Sequence, residues 1–524
     1  MSSITKQRVG KYTYIYESTS YWDKKKGPRN RKIAIGRVDC KTGKAVYKAE
    51  YLARTGQDEN KQQQRRELIQ ALDSVKDYGL SYFLLEIATN IGLSKAMQER
   101  MPQYWKEALT LACYLVASDK AIAYCDEFVS NNEGFDTNMT SQRSSELLGR
   151  IGYGERQGFY QSWHRHIYER EYIALDITSV SSYSKQIAGC EWGYNRDHED
   201  LAQLNICMLF GERSKLPVYQ TIYSGSLKDV STLESTIAEF TGMVGKSEYR
   251  FVMDKGFFST RNVNMLLKRE ECKFLIPVAF TSKFALKQID SERKDIDQIN
   301  NVIHTSGPPV RGVCKVRTWG KEGKKVYTHV YYDPERALKA RNELYEYVTR
   351  LQELAKQEPD NKDEVIGINK YLIVRKSALV PGEVGVTIRK DVIEESLKSA
   401  GWLVLISNHI SDPQEALDIY RFKDVVEKGF FKYKNSLGLD RLRVRSDERA
   451  ENKIFISFIA LVLVSHIHKV MEEKQLYKKW TLERLLIILA KLKIFTVNGN
   501  RILRPLTKEQ KDIFEAFSIA LPDS

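Results

Sequence analysis

The stretch that decides the fold is YIALDITSV at residues 172–180, a run of strand-forming residues that contains the carboxylate of Asp176. A second run, RFVMD at residues 250–254, ends on Asp254. Short apolar runs are typical of buried strands, and open α/β sheets place active groups near strand ends. We therefore expect both aspartates at a functional end or face of a sheet, although a turn or a cap would explain each aspartate alone.

Strands predominate between residues 172 and 278. The apolar pattern predicts strands over 173–180, 204–210, 216–223, 250–253 and 274–277. A helix is predicted over 231–244, where Ser231 and Glu234 have the spacing of a capping box. Three early strands, a helix and another strand that ends in an acid resemble the order of a ribonuclease-H-like core, and this alternation favours a layered α/β sheet.

A third carboxylate, Glu427, lies in a basic amphipathic segment that is predicted to be helical. Tyr420, Lys423, Glu427 and Lys434 lie 0, 3, 7 and 14 residues along it. At about 100° per residue these positions fall within roughly 60° of one another, so they form one stripe on a helix. Ordinary surface charge patterning is the alternative interpretation. Gly429 counts against this alternative. Glycine weakens a helix, so a purely solvent-exposed helix that depends on residue propensity alone is not expected to contain it.

The remaining segments differ in pattern. Residues 1–60 show short β-like pieces at 12–16 and 32–36, which predict a small N-terminal β region. Residues 61–170 have helical spacing, for example at Leu68, Leu72 and Val75. We interpret this region as DNA-binding, with a plain helical bundle as the alternative.

The second half of the chain is predicted to contain an inserted domain. Residues 279–400 combine short β-like pieces with one helix that has Asp333 at its N-cap and Pro334 at its first position. The core is expected to resume over 401–475, which includes Glu427, and a helical region follows over 476–524. The predicted fold class is thus α/β: a ribonuclease-H-like core (171–278 and 401–475) interrupted by a β-rich α+β insertion, with N-terminal β and helical regions.

Composition favours a polyanionic partner. Lys and Arg exceed Asp and Glu by 82 − 68 = 14 charges, which attracts nucleic acid but also fits a merely basic protein. Seven cysteines without a C-x-x-C pair fit a reducing compartment better than a disulfide framework. Residues 1–17 have no apolar signal core, and the longest apolar stretch, 454–465, is shorter than the roughly 20 residues of a membrane span. We expect a cytoplasmic, DNA-associated protein without a membrane partner.

The stripe of Tyr420, Lys423, Glu427 and Lys434 resembles the Y-x2-R-x3-E-x6-K signature of bacterial insertion-sequence DDE transposases, and Asp176 and Asp254 take the places of that family's two aspartates. Further resemblance lies in GYNRDH at 193–198, DKGF at 254–257 and RSDER at 445–449. The family's arginine is Lys423 here. Lysine keeps the charge but loses the planar, bidentate fork that suits a phosphate.

The resemblance implies that Asp176, Asp254 and Glu427 are catalytic and hold two Mg²⁺ or Mn²⁺ ions. One ion would activate water or a DNA 3′-hydroxyl, and the other would stabilise the leaving oxygen. Tyr420, Lys423 and Lys434 would bind DNA at the phosphates near the cleaved end. The implied partners are double-stranded DNA, as terminal inverted repeats and as target, and a second copy of the chain in a homodimer. Relatives with this signature can cut the second strand through a DNA hairpin.

Other functions stay open at this point. The same acids serve a metal-dependent nuclease that never performs strand transfer. A non-catalytic DNA-binding protein derived from a transposase could retain the acids without metal binding. Sugar hydrolysis by paired carboxylates has little support beside the basic Glu427 segment.

Overall fold

The computed structural model describes residues 2–23, 27–55, 72–167, 172–245, 247–304, 308–320, 322–357, 364–376, 384–435, 437–439 and 441–523. The chain forms two compact units. The first contains Met1–Lys76, Lys493–Pro505 and Asp523–Ser524, and the second contains Asp77–Leu492 and Leu506–Pro522.

Strands open the described chain, helices alone fill residues 79–167, and strands and helices are mixed from residue 172 onward. The strands are β1 (Ser2–Val9), β2 (Tyr12–Asp23), β3 (Gly27–Val38), β4 (Ala45–Tyr47), β5 (Leu72–Asp77), β6 (Tyr172–Ser181), β7 (Gln203–Gly211), β8 (Pro217–Ser224), β9 (Tyr249–Met253), β10 (Cys272–Pro277), β11 (Val302–Ile303), β12 (Val310–Trp319), β13 (Lys324–Tyr332), β14 (Leu372–Lys376), β15 (Val384–Ile388), β16 (Trp402–Ser407), β17 (Lys493–Val497) and β18 (Asn500–Leu503). The α-helices span Ala49–Thr55, Gly79–Asn90, Leu93–Arg100, Trp105–Ala117, Cys125–Asn131, Ser141–Arg150, Tyr153–Ile167, Asp229–Val244, Thr260–Lys268, Lys283–Glu292, Pro334–Gln357, Val365–Tyr371, Lys390–Leu397, Pro413–Phe422, Asp424–Asn435, Asp447–Glu473, Leu482–Ala490 and Lys508–Ala516.

The first unit is rich in β-structure. Strands β1 to β4 form an antiparallel sheet, and Ile15, Ile35 and Tyr51 form its small buried cluster. Strands β18, β17 and β5 form a three-stranded sheet. The helical spacing predicted through Val75 is therefore wrong at that residue, because Leu72–Asp77 is a strand. Pairing with a strand from the far end of the chain decides this conformation, and local periodicity cannot reveal that pairing. Leu68 lies outside the described residues.

The second unit is organised around a nine-stranded sheet in the order β11-β12-β13-β16-β10-β9-β6-β7-β8. Strands β6, β7 and β8 are antiparallel to one another, whereas β9 runs parallel to β6 and β10 runs parallel to β9. Every residue of β7 is buried, as expected of a strand covered on both faces. The strands predicted over 173–180, 204–210, 216–223, 250–253 and 274–277 all lie within this sheet.

The predicted capping box at Ser231 is wrong. The helix is Asp229–Val244, so it begins two residues before Ser231. Ser231 instead donates its hydroxyl to the backbone carbonyl of Lys228. A serine inside the first helical turn can bond backward to a carbonyl in this way, and the sequence spacing does not distinguish that bond from a cap.

The segment over 279–400 is joined to the large sheet. Strand β13 pairs with β16 along six residue pairs, and β12 and β11 continue the same sheet. The rest of the segment packs separately: β14 and β15 form a two-stranded sheet whose apolar residues lie against the Pro334–Gln357 helix. Asp333 accepts a hydrogen bond from the backbone N–H of Arg336, as predicted for an N-cap. An independent inserted domain that begins near residue 279 is not confirmed.

Most residues of the Asp447–Glu473 helix are buried inside the protein. By length and composition it is one candidate for crossing a membrane, and the bent helix pair Trp105–Ala117 with Ile122–Asn131 is another. In Asp447–Glu473, 78% of the most apolar window is buried inside the protein. The core helix of a globular protein passes the same test, so this pattern is weak evidence for a span.

The Asp424–Asn435 helix, which carries Glu427, packs closely on β7. A Cβ added at Gly429 would lie 2.5 Å from the ring of Phe210, so the absent side chain permits the approach. Tyr433, fully buried on the same helix, donates its hydroxyl to the backbone carbonyl of Ile454 at 2.7 Å. These two contacts fix the distance and the rotation of the helix relative to the sheet.

We predict that Gly429→Ala destabilises the protein by about 1–3 kcal/mol, the usual range for an overpacked core position. The matched control is Gly242→Ala, which replaces a helical glycine with open space around its Cβ position. The control should be neutral or stabilising by roughly 0.5–1 kcal/mol, since alanine favours helix. Chemical denaturation measures both. Equal stabilities for the two variants would contradict the close packing of the Glu427 helix.

Candidate active site

The register of β6 and β9 brings the two aspartates together. These strands are parallel, and Leu175 pairs with Met253. Asp176 and Asp254 are the next residue on each strand line, so they occupy neighbouring positions on the same face. Asp176 lies in the middle of β6, whereas Asp254 follows the last residue of β9. The prediction that both acids lie at a functional end or face of one sheet is therefore consistent with the structure.

Glu427 reaches the same place from a distant part of the chain. It lies in the first turn of the Asp424–Asn435 helix, and 57% of its side chain is exposed. A cavity of about 380 Å³ has Asp176, Asp254 and Glu427 in its wall, together with Lys423 and Lys434. The structure thus brings together five of the six side chains that the sequence singled out.

Tyr420 is the sixth, and it lies outside the set of residues that line this cavity. It packs against a buried cluster that includes Leu405 and Leu417. Burial raises the pKa of its phenol, although the nearby Lys423 ammonium acts in the opposite direction. The predicted stripe holds for Lys423, Glu427 and Lys434, which line one cavity, and fails for Tyr420. The single helix predicted for the stripe is interrupted, because one helix ends at Phe422 and the next begins at Asp424. Lys423 occupies the break.

Lys423 is the central cation of the site. Its ammonium donates hydrogen bonds to Oδ1 of Asp254 and to Oε1 of Glu427, both at 2.9 Å. Its side chain is only 10% exposed. Burial alone would lower the pKa of Lys423, but the two carboxylates outweigh burial and raise it. Burial alone would raise the pKa of Asp254, and Lys423 reverses this effect so that the pKa is lowered.

Asp176 has a different electrostatic setting. Its pKa is raised to about 7, chiefly because of burial, with the negative charge of Asp254 also raising the pKa and Lys423 partly opposing both effects. Its Oδ1 accepts a hydrogen bond from the backbone N–H of Ile177 at 2.8 Å. Neighbouring carboxylates with separated pKa values are typical of functional sites.

The segment 193–198 supplies two further residues that the sequence analysis quoted without assigning a role. Asp197 accepts a hydrogen bond from Lys434 at 2.6 Å. Arg196 pairs with both carboxylate oxygens of Asp229 and also donates to Ser179 on β6. Both residues line the cavity. Their motif, GYNRDH, was the available signal, but sequence spacing gave no contact between this segment and residues more than 200 positions away.

The donor set of the cavity fits a hard divalent cation, because carboxylate oxygens are the ligands that Mg²⁺ and Mn²⁺ prefer. Lys423 already places a positive charge between Asp254 and Glu427. In this arrangement the described residues contain no group of three or more His, Cys, Asp or Glu side chains close enough to hold a metal ion. Binding of an ion to all three acids would therefore require the ammonium of Lys423 to withdraw.

We predict that Asp176→Asn stabilises the protein without divalent ions at neutral pH. The pKa of this carboxyl is 3.8 in the unfolded chain and about 7 in the folded protein, so the folded state binds the proton more tightly. The free energy of unfolding of the wild type therefore falls as the pH rises through that interval. The advantage of the variant should be absent below pH 3.8, grow up to about pH 7 and then stay constant. Thermal unfolding in a chelator measures it, with the exposed Asp200→Asn as control. An advantage that does not vary with pH would contradict the electrostatic setting of Asp176.

One family model matches this chain, and a solved structure shows a weaker similarity. The family model described as "Transposase DDE domain" matches residues 168–463, more than half of the chain. A cryo-EM structure of a piggyBac transposase synaptic complex with hairpin DNA is similar at 11% identity and a TM-score of 0.37, with 74% of this chain and 70% of that chain covered. The search of curated proteins found no match. The chain belongs to the family of transposases with a DDE domain.

Proposed function

We propose that this protein is an insertion-sequence DDE transposase that cuts DNA at the ends of its element and joins them to target DNA. One observation carries the proposal: Asp176, Asp254 and Glu427, which are remote in sequence, line one cavity together with two lysines. Acids suit two-metal phosphodiester chemistry, and lysines suit the phosphates of the substrate.

The proposed fold is a ribonuclease-H-like core. Three antiparallel strands, β6 to β8, with β9 and β10 added parallel to β6, support it. The catalytic aspartates then lie on adjacent parallel strands, and the glutamate comes from a helix packed on the same sheet. Strands β11 to β13 and the segment up to residue 400 would be an elaboration of this core.

The proposed roles follow from the positions of the side chains. Asp176, Asp254 and Glu427 would hold two Mg²⁺ or Mn²⁺ ions, which supply activation of the attacking water or 3′-hydroxyl and stabilisation of the leaving oxygen. Lys423, once withdrawn from Asp254 and Glu427, would turn its ammonium toward a phosphate of the cleaved strand. Lys434 would contact the same strand, and Tyr420 would contact it only after a local rearrangement.

The finer features of the proposal come from the resemblance of the Tyr420–Lys434 segment to the Y-x2-R-x3-E-x6-K signature of insertion-sequence DDE transposases. They are a homodimer that bridges two element ends and second-strand cleavage through a DNA hairpin. A covalently closed hairpin on end-labelled substrate supports that route. Productive double-strand cleavage without a hairpin product excludes it.

The test of the function is cleavage and joining of the DNA ends that flank the gene, with Mg²⁺. We expect Asp176→Ala, Asp254→Ala and Glu427→Ala each to lower the cleavage rate by roughly 10²-fold or more, as when one stabilising group of a transition state is removed. Glu394→Ala, which removes an exposed carboxylate elsewhere, should retain full activity. If pre-cut ends fail to join a target plasmid, the protein is a nuclease without strand transfer. Cleavage that none of the three substitutions affects would overturn the assignment of the acids.

A second test addresses the exchange of Lys423 for a divalent ion without measuring activity. Lys423→Met should lower stability in a chelator by about 1–3 kcal/mol, because two carboxylates lose a charged hydrogen-bond donor. Mg²⁺ should raise the midpoint of thermal unfolding more in the variant than in the wild type, since the ion no longer displaces an ammonium. Lys339→Met, which removes a lysine from a largely exposed ion pair, is the control. Equal Mg²⁺ increments in the three proteins would count against metal binding at this position.

A further inference from the structure

A concave and strongly basic surface adjoins the proposed catalytic cavity. A first cavity, of about 760 Å³, shares Lys434 with the catalytic cavity. A second cavity, of about 770 Å³, shares Arg443, Val444 and Arg445 with the first cavity. We call the surface formed by these two neighbouring cavities the basic groove. Shared wall residues therefore link the three cavities in series, starting from the acids.

The charge of the groove is not that of an average surface. Of the described residues that line the first of its cavities, six are cationic and one, Asp119, is acidic. The second is lined by four cationic residues and no acidic one among those described. Over the whole chain the ratio is 82 basic to 68 acidic residues. A solvated protein surface mixes both signs, whereas a concave wall of one sign focuses its field on a partner of the opposite sign.

Some of these cations already have protein partners, and others point to solvent. Lys434 pairs with Asp197, and Arg441 pairs with Glu199. Lys120, Lys185 and Arg445 are exposed. They come from three separate parts of the sequence, so no local pattern explains why they share one wall. The exposed members are those available to an outside ligand.

The groove is attached directly to the strand that carries Asp176. The backbone N–H of Leu442 donates to the carbonyl of Ser181 at the end of β6, and Ser182 donates its hydroxyl to the carbonyl of Leu442. Ser181 lies 181 − 176 = 5 residues beyond Asp176 on that strand, which is roughly 17 Å at about 3.3 Å per residue. The wall containing Arg443 and Arg445 is thereby held in register with the acids.

We infer that the basic groove binds the phosphodiester backbone of duplex DNA next to the scissile phosphate, with Lys120, Lys185 and Arg445 as its phosphate contacts. This inference rests on the proposed function, because it takes the acids as the cutting point. A separation of roughly 17 Å corresponds to about five base-pair steps of B-DNA at 3.4 Å each. Leu442, which anchors this wall, is bonded to β6 at that distance from Asp176, so the groove contacts phosphates on the duplex beside the cut.

The first experiment measures the salt dependence of binding to random-sequence duplex DNA without divalent ions. The variant is Lys120→Ala/Lys185→Ala/Arg445→Ala, and the charge-matched control is Lys287→Ala/Lys508→Ala/Lys511→Ala, three exposed lysines elsewhere in the same unit. The slope of log K against log salt should fall in magnitude by roughly two to three in the groove variant, since each phosphate contact contributes about 0.9. The control should keep the wild-type slope. A wild-type slope in the groove variant, or an equal loss in the control, overturns the inference.

The second experiment places neutral methylphosphonates one at a time along DNA that contains the proposed cut site. Substitutions within about five base-pair steps of the cut should weaken binding by the wild type but not by the groove variant. Sensitivity that lies elsewhere, or that persists in the variant, overturns the inference. Because binding is measured without divalent ions, a groove that fails these tests in a protein that cleaves leaves the function intact. If the protein does not cleave DNA but the groove variant shows the reduced salt dependence of DNA binding, the proposed function is refuted and the groove assignment is not.

Discussion

The site depends on one electrostatic constraint: carboxylates that converge in a partly buried cavity need a positive charge between them. Lys423 provides it, with its ammonium at 2.9 Å from both Asp254 and Glu427. Bringing two acids together without such a charge costs free energy through repulsion and desolvation. Lys423 and Glu427 are four residues apart, a spacing at which side chains meet on a helix, and Asp254 follows the neighbouring strand β9.

This constraint connects the fold to the chemistry. The aspartates are placed by strand register, and the glutamate is placed by a helix that approaches β7 closely because residue 429 has no side chain. The same ammonium that stabilises the metal-free site opposes a divalent ion for the same oxygens. A side chain that alternates between carboxylates and a phosphate would link metal loading to DNA binding. The basic groove, bonded to the end of β6, would extend that coupling along the DNA.

The sequence predicted those parts of the molecule that depend on local pattern. The strands around Asp176 and Asp254 are short apolar runs, and the Asp333 cap follows a simple spacing rule. Parts that depend on distant pairing were not predictable. Val75 lies in a strand because β17 pairs with β5, and the segment after residue 279 joins the large sheet through β13 and β16. Neither pairing has a signature within its own segment.

The helix break at Lys423 shows the same limit within the candidate site. Its apolar and charged periodicity continues across the break, so the sequence indicated one helix where the structure has two. The grouping of the acids was predicted from the family signature, but the contacts of Lys423, Arg196 and Asp197 were not.

The most direct measurement of the central claim is the anomalous scattering of Mn²⁺ in crystals of the protein bound to its end DNA. The account predicts Mn²⁺ in the cavity bounded by Asp176, Asp254 and Glu427, with the Lys423 ammonium withdrawn from them. Mn²⁺ bound elsewhere would contradict it. So would a Lys423 ammonium that still bridges Asp254 and Glu427 in a complex whose DNA is poised for cleavage.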